Sequence, residues 1–161
     1  MKTIGLALGG GGAKGFAHLA YLRALDEMGV IPSVISGTSM GAVIGALYAC
    51  GYPPQKVVET LTSLSERRLS SPSILTRLPH LAPSIAARAV RRLLHSFFTD
   101  IPMEQTRIPF KSVALNFHTL EKTVFETGPV LDAVMASIAL PGLFPPYAIN
   151  GSYYIDGGAV S

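Results

Sequence analysis

Residues 35–45 read Ile-Ser-Gly-Thr-Ser-Met-Gly-Ala-Val-Ile-Gly. Within them, Gly37-Thr38-Ser39-Met40-Gly41 has the G-x-S-x-G form of a nucleophile elbow, a serine on a tight turn between a strand and a helix. Small residues on either side tolerate the strained backbone that such a turn needs. A serine hydroxyl is a weak nucleophile unless a base takes its proton. The usual base is a histidine, and this chain has four: His18, His80, His95 and His118. None stands in a usual triad context, so the identity of the base is open at this point.

The elements around the elbow set the fold. Upstream, Thr3 to Leu8 is a short apolar run closed by four glycines, Gly9 to Gly12, and reads as a buried strand ending in a tight loop. Lys14 to Met28 reads as a helix stopped by Gly29, and Val30 to Ser36 as the strand that delivers the elbow. Met40 to Cys50 is small and apolar, which predicts a buried helix, with Gly51 just past its end and Pro53-Pro54 opening the next. There Val57, Val58, Leu61 and Leu64 keep helical spacing.

From Arg67 to Pro83 the composition shifts to Ser, Pro, Leu and Arg, which predicts a variable loop. Ala86 to Phe98 is amphipathic, with Val90, Leu93, Leu94, Phe97 and Phe98 on one face and Arg88, Arg91, Arg92 and His95 on the other. Phe110 to Phe117 and Lys122 to Glu126 read as a strand pair, and Pro129 to Leu140 as a helix ended by Pro141. Asn150-Gly151 between Tyr147–Ile149 and Tyr153–Ile155 is a hairpin signal. The last strand runs into Asp156-Gly157-Gly158. Strands alternating with helices predict an α/β fold with a mainly parallel sheet.

Composition narrows the class. The chain has 161 residues, enough for one domain with a real core, and is 48% hydrophobic but only 14% charged. That balance excludes general disorder. A net charge of +3 permits attraction to anionic membranes and does not single out nucleic acid. A single cysteine, Cys50, excludes an intrachain disulfide framework and fits a reducing, cytoplasmic compartment. The apolar start runs into glycines too early for a signal peptide, and no unbroken apolar run reaches the length of a spanning helix. No pair of histidines has metal-ligand spacing.

Gly10-Gly11-Gly12-Ala13-Lys14-Gly15 satisfies the dinucleotide pattern G-x-G-x-x-G, but the second strand ends in a serine elbow instead of the acidic residue a ribose needs. A phosphate loop is excluded because Gly15 follows Lys14. What remains is physics. Consecutive glycines bare their N–H groups at a helix start, where an anion, including a tetrahedral oxyanion, is stabilised. Beside an elbow, that reading outweighs a plain turn. Asp156 has two readings. A carboxylate at a strand end in an open sheet faces the ligand crevice and could accept the Ser39 proton, whereas a turn aspartate capping an Asp-Gly bend is common.

Three motifs in this order, G-G-G-x-K-G, G-x-S-x-G and D-G-G, resemble the patatin-like phospholipase family. The stretch Ala136-Ser137-Ile138-Ala139-Leu140-Pro141 with Phe144-Pro145-Pro146 is similar to that family's segment before the final strand. The resemblance covers nearly the whole chain apart from residues 67–100. It implies a three-layer α/β/α hydrolase domain over residues 1–161, a lid-like variable segment at about 67–100, and further strand and helix after Ser161.

It also implies a lipid acyl hydrolase with a Ser–Asp dyad, no catalytic histidine, no metal and no cofactor. Carried over by position, Ser39 is the nucleophile, Asp156 its proton acceptor, and the amides of Gly10, Gly11 and Gly12 the oxyanion hole. Lys14, Gly15, Gly37, Gly41, Gly157 and Gly158 support the motifs. Ser137 and Pro141 read as packing residues, and His18 as a hydrogen-bonded structural histidine. The implied partner is a phospholipid or other acyl ester, and residues 86–98 read either as a helix covering the core or, in a lipid hydrolase, as a lid or a peripheral contact at the inner membrane surface. An acyltransferase on a similar fold, and a non-catalytic membrane-binding or regulatory module, are the rival readings.

Overall fold

The computed structural model describes residues 3–59, 62 and 82–159. Its strands are β1 (Gly5–Leu8), β2 (Val34–Thr38), β3 (Phe110–Asn116), β4 (Lys122–Phe125), β5 (Tyr147–Ile149) and β6 (Ser152–Asp156). The long helices are α1 (Ala17–Glu27), α2 (Met40–Ala49), α3 (Ala82–Phe98) and α4 (Val130–Ser137). A 3₁₀ turn over Gly12–Phe16 leads into α1, so the expected helix from Lys14 begins with a tighter turn. Residues 54–59 are also helical. The expected variable loop at 67–83 lies, apart from its last two residues, outside the described residues, as do Leu61, Leu64 and His80.

The sheet order is β1-β2-β3-β6-β5, with β4 also paired to β3. The α/β class is as expected, but the sheet is mixed instead of mainly parallel. β1–β2 and β2–β3 are parallel, while β3–β4, β3–β6 and β5–β6 are antiparallel. The reason is connection length. Residues 117–121 and the pair Asn150-Gly151 are too short for the crossover that parallel neighbours require. At Asn150 and Gly151 φ is 49° and 81°, the left-handed pair that a two-residue hairpin loop demands.

Register assigns the faces. Leu6 and Leu8, Ile35 and Gly37, Phe110 and Ser112, and then Ala114 and Asp156 point to one side. Helix α2 lies against that side, and its small residues let it come close. A Cβ on Gly45 would be 3.1 Å from Ile35 and 3.2 Å from Phe110. Helix α4 joins it there, its Ala133 carbonyl accepting a bond from the Ser112 hydroxyl at 2.9 Å. One apolar cluster fills the layer, with Leu19, Leu22 and Leu25 from α1, Leu94 and Phe98 from α3, and Val130 and Val134 from α4. Full burial of each large side chain contributes about 1.5–3 kcal/mol.

On the opposite face Gly5 and Ala7 are exposed, and Val124 and Tyr153 are nearly half exposed.

Helix α3 decides one of the open readings. Leu94 and Phe98 are fully buried, and Val90, Leu93 and Phe97 are half-buried. Phe97 meets the ring of Tyr52 edge-on at 5.2 Å. The apolar face thus packs into the core and is not free to enter a lipid surface. Arg88, Arg91, Arg92 and His95 remain exposed.

Candidate active site

The elbow forms where β2 gives way to α2. Ser39 has φ 55° and ψ −125°, a sparsely populated conformation that costs on the order of 1–3 kcal/mol and persists only where its surroundings enforce it. Two glycines make it sterically feasible. A Cβ on Gly37 would lie 2.5 Å from the Ala42 Cα, and a Cβ on Gly41 would run into the Leu8 carbonyl. A side chain at either place would push α2 off the sheet.

Ser39 and Asp156 meet across β3. Thr38 pairs with Val113 on one side of that strand, and Asp156 with Ala114 on the other. The two residues are therefore level, and the Ser39 hydroxyl donates to Asp156 Oδ2 at 2.6 Å. The strand-end argument from the sequence assumed parallel strands. β6 instead runs antiparallel to β3, and register brings Asp156 to the elbow.

Asp156 is 2% exposed. A buried carboxylate is tolerable when its oxygens are hydrogen-bonded. Here Gly158 donates its N–H to Oδ1 at 2.7 Å, leaving Oδ2 to face the serine. Gly157 is tightly held, since a Cβ there would be 2.6 Å from the Val113 carbonyl. The Asp156 N–H donates to the Ala139 carbonyl at 3.0 Å.

The glycine loop lies alongside. A Cβ on Gly10 would be 3.3 Å from the Ser39 Cβ. Gly11 and Gly12 have φ of 128° and 53°, which favours glycine at both. These residues stand at the start of the 3₁₀ turn, where the first N–H groups have no partner within the helix. His18 reaches back to the Gly9 carbonyl at 2.9 Å and steadies the loop, the structural role expected for it. Gly15 is buried, and a Cβ there would strike Met40 at 2.5 Å. Lys14 is exposed, its N–H closing the turn on the Gly11 carbonyl at 3.0 Å.

Two cavities lie on the surrounding elements. One of about 450 Å³ opens between the glycine loop and the Asp-Gly-Gly turn, lined by Gly9, Gly10, Gly11, Lys122, Gly157 and Gly158 among others. The other, about 380 Å³, is an apolar trough between α3 and the segment after α4, walled by Met135, Ile138, Ala139, Phe144, Pro145 and Pro146, with Arg88 and Arg91 at its edge. At its end, Tyr147 donates to Asp132 at 2.7 Å and accepts from Arg91 at 3.3 Å. Burial raises the Tyr147 pKa above the usual phenol value.

No histidine hydrogen-bonds Ser39 among the described residues. His95 is exposed on α3, and His118 stacks edge-on against Phe117 and Tyr153. Asn116 closes its own turn, its side-chain oxygen accepting the His118 and Thr119 N–H groups. Among the described residues, no group of three or more His, Cys, Asp or Glu could hold a metal ion, and no helix is long and apolar enough to cross a membrane.

One contact goes beyond the sequence reading. Ser137, expected to pack, accepts the Ser39 N–H on its hydroxyl oxygen at 2.9 Å. The signal available for it was its place in the Ala-Ser-x-Ala-x-Pro stretch.

The chain is 34% identical over 157 residues to an uncharacterised NTE family protein of Mycobacterium bovis, covering 96% of this chain and 42% of that protein. It is 33% identical to lysophospholipase NTE1 of Saccharomyces cerevisiae, covering 99% of this chain and 10% of that one. To patatin-like phospholipase domain-containing protein 6 of Mus musculus it is 33% identical, covering 99% and 12%. The chain thus spans less than half the length of these relatives. Among solved structures, VipD from Legionella pneumophila matches with a TM-score of 0.68 at 18% identity, over 100% of this chain and 47% of that one, a likeness of fold. The family model for patatin-like phospholipase matches residues 6–161, and the chain belongs to that family.

Proposed function

We propose that this chain carries the catalytic centre of a serine lipid acyl hydrolase that works through a Ser39–Asp156 dyad. The observation that carries the reading is the 2.6 Å bond from the Ser39 hydroxyl to a buried carboxylate oxygen whose partner oxygen is already held. Nothing else needs to intervene between nucleophile and base.

Ser39 Oγ attacks the carbonyl carbon of a fatty-acyl ester while its proton passes to Asp156 Oδ2. The resulting oxyanion is stabilised by the amides of Gly10, Gly11 and Gly12. The Ser39 N–H is already bound to Ser137, so that role falls to the glycine loop. Collapse of the intermediate expels the alcohol, which takes the proton from Asp156 and leaves an acyl-enzyme. Water then gives a proton to the same carboxylate and attacks the acyl carbon, and the proton returns to Ser39 as the fatty acid leaves.

The apolar trough beside residues 138–147 suits an acyl chain, and Arg88 at its edge suits an anionic head group. A named relative is a lysophospholipase, which supports phospholipid or lysophospholipid as the substrate class. Contact with a membrane surface would run through the exposed arginines of α3, since its phenylalanines are committed to the core.

The test is product analysis with lysophospholipid in the presence of rising glycerol. Release of free fatty acid at all glycerol concentrations supports a hydrolase. Dominant acyl-glycerol formation would replace it with an acyltransferase, and no turnover would favour a non-catalytic module.

A further inference from the structure

Ser137 is fully buried at the C-terminal end of α4. A serine hydroxyl has one proton to donate and lone pairs to accept with. Its proton goes to the Val113 carbonyl at 2.6 Å, in the middle of β3. The oxygen is thereby oriented to accept, and it takes the Ser39 N–H at 2.9 Å. Two residues on, the Ala139 carbonyl accepts the Asp156 N–H at 3.0 Å. A span of three residues at the end of one helix therefore holds the backbone of both members of the dyad.

We infer that Ser137 is a positioning residue for the reaction, fixing the strained Ser39 backbone so that Oγ is aimed at Asp156 Oδ2. The inference rests on the Ser39–Asp156 reading above. Without the hydroxyl, the part-buried Ser39 N–H loses its acceptor, and the elbow can relax toward an ordinary turn. A displacement of about 1 Å at a reacting group can lower a rate about a hundred-fold. Binding of substrate, which depends on the trough and the cleft, is untouched.

Ser112 provides an internal control. It too is fully buried between β3 and α4 and pairs with Gly37 on β2, but its hydroxyl bonds the Ala133 carbonyl and not the Ser39 backbone. Ser137→Ala and Ser112→Ala thus remove the same group from the same interface. Two readouts are needed, kcat and KM for a short-chain p-nitrophenyl ester and the hydrogen-exchange rate of the Ser39 amide. Ser137→Ala should lower kcat about ten- to a hundred-fold at unchanged KM and make the Ser39 amide exchange faster. Ser112→Ala should change neither, even where the two variants melt at the same temperature, and Ser137→Thr should restore part of the rate. Parental exchange at Ser39 in Ser137→Ala would overturn the inference, as would faster exchange with an unchanged kcat. A parent protein that neither turns over ester nor reacts with a fluorophosphonate would refute the Ser39 reading instead, and the exchange rates would still decide whether Ser137 holds the elbow.

Discussion

Ser39 and Asp156 lie 117 residues apart in the chain and 2.6 Å apart in space. Two registers on β3 bring them together, Thr38 with Val113 and Ala114 with Asp156. A shift of one residue in either pairing would turn the side chain to the other face of the sheet. The chemistry of the pair therefore depends on the accuracy of the central strand more than on any local feature of either motif.

The glycines that let the elbow form should be intolerant of a single methyl group. Gly41→Ala places a Cβ against the Leu8 carbonyl, and Gly37→Ala places one 2.5 Å from backbone atoms of α2. Backbone cannot give way as a side-chain tip can. Each change should destabilise the fold by about 1–3 kcal/mol or more, read as a lower denaturant midpoint. Gly142→Ser, where a Cβ meets nothing within 4 Å, should be milder despite its φ of 86°.

Histidine replacements should spare the chemistry. His18→Gln keeps a donor for the Gly9 carbonyl, and its effect should appear as a loss of stability of about 1 kcal/mol at most. His95→Gln and His118→Asn touch exposed rings and should leave fluorophosphonate labelling at the parental rate. A folded histidine variant that failed to label would point to a triad.

The arginines of α3 should carry any attraction to a membrane. Arg88→Glu with Arg92→Glu reverses two exposed charges and leaves the Arg91–Tyr147 contact intact. Each basic residue near an anionic surface contributes about 1 kcal/mol. The double variant should sediment less with phosphatidylserine vesicles, and raised salt should weaken the parent in the same way. Equal sedimentation of the two proteins would remove α3 from the membrane contact.

Alkaline pH should destabilise the fold through Cys50. Burial pushes its thiol from 9.0 up to about 11. The folded state thus favours the neutral form, and the stabilisation is complete below about pH 9 and lost as pH rises through about 11. Tyr48, raised by burial and by its bond to Asp26 to about 12, extends the decline upward. Denaturant midpoints measured from pH 8 to pH 11 should fall for the parent and fall less for Cys50→Ala.

Local chemistry made much of this centre legible in the sequence. The elbow, the glycine loop and the Asp-Gly-Gly turn each need particular small residues at fixed spacing, and Asn150-Gly151 announces its hairpin for the same reason. The direction of β6 was not legible, because strand ends read the same whichever way the neighbour runs. Ser137 was hidden too. Its partner is 98 residues away, and the Ala-Ser-x-Ala-x-Pro stretch marks its position without telling what its hydroxyl will meet. Helix α3 showed two faces clearly, but amphipathicity alone does not say whether the apolar one meets core or lipid.

The dyad itself is tested most directly by fluorophosphonate labelling and ester turnover in Ser39→Ala, Asp156→Asn and the double variant. Removing a positioned general base costs about a hundred- to ten-thousand-fold in rate. Asp156→Asn should fall in that range while keeping the fold, Ser39→Ala should lose at least as much and all labelling, and the double variant should lose little more, since the two residues act as one unit. A folded Asp156→Asn protein that labels and turns over at the parental rate would contradict the account.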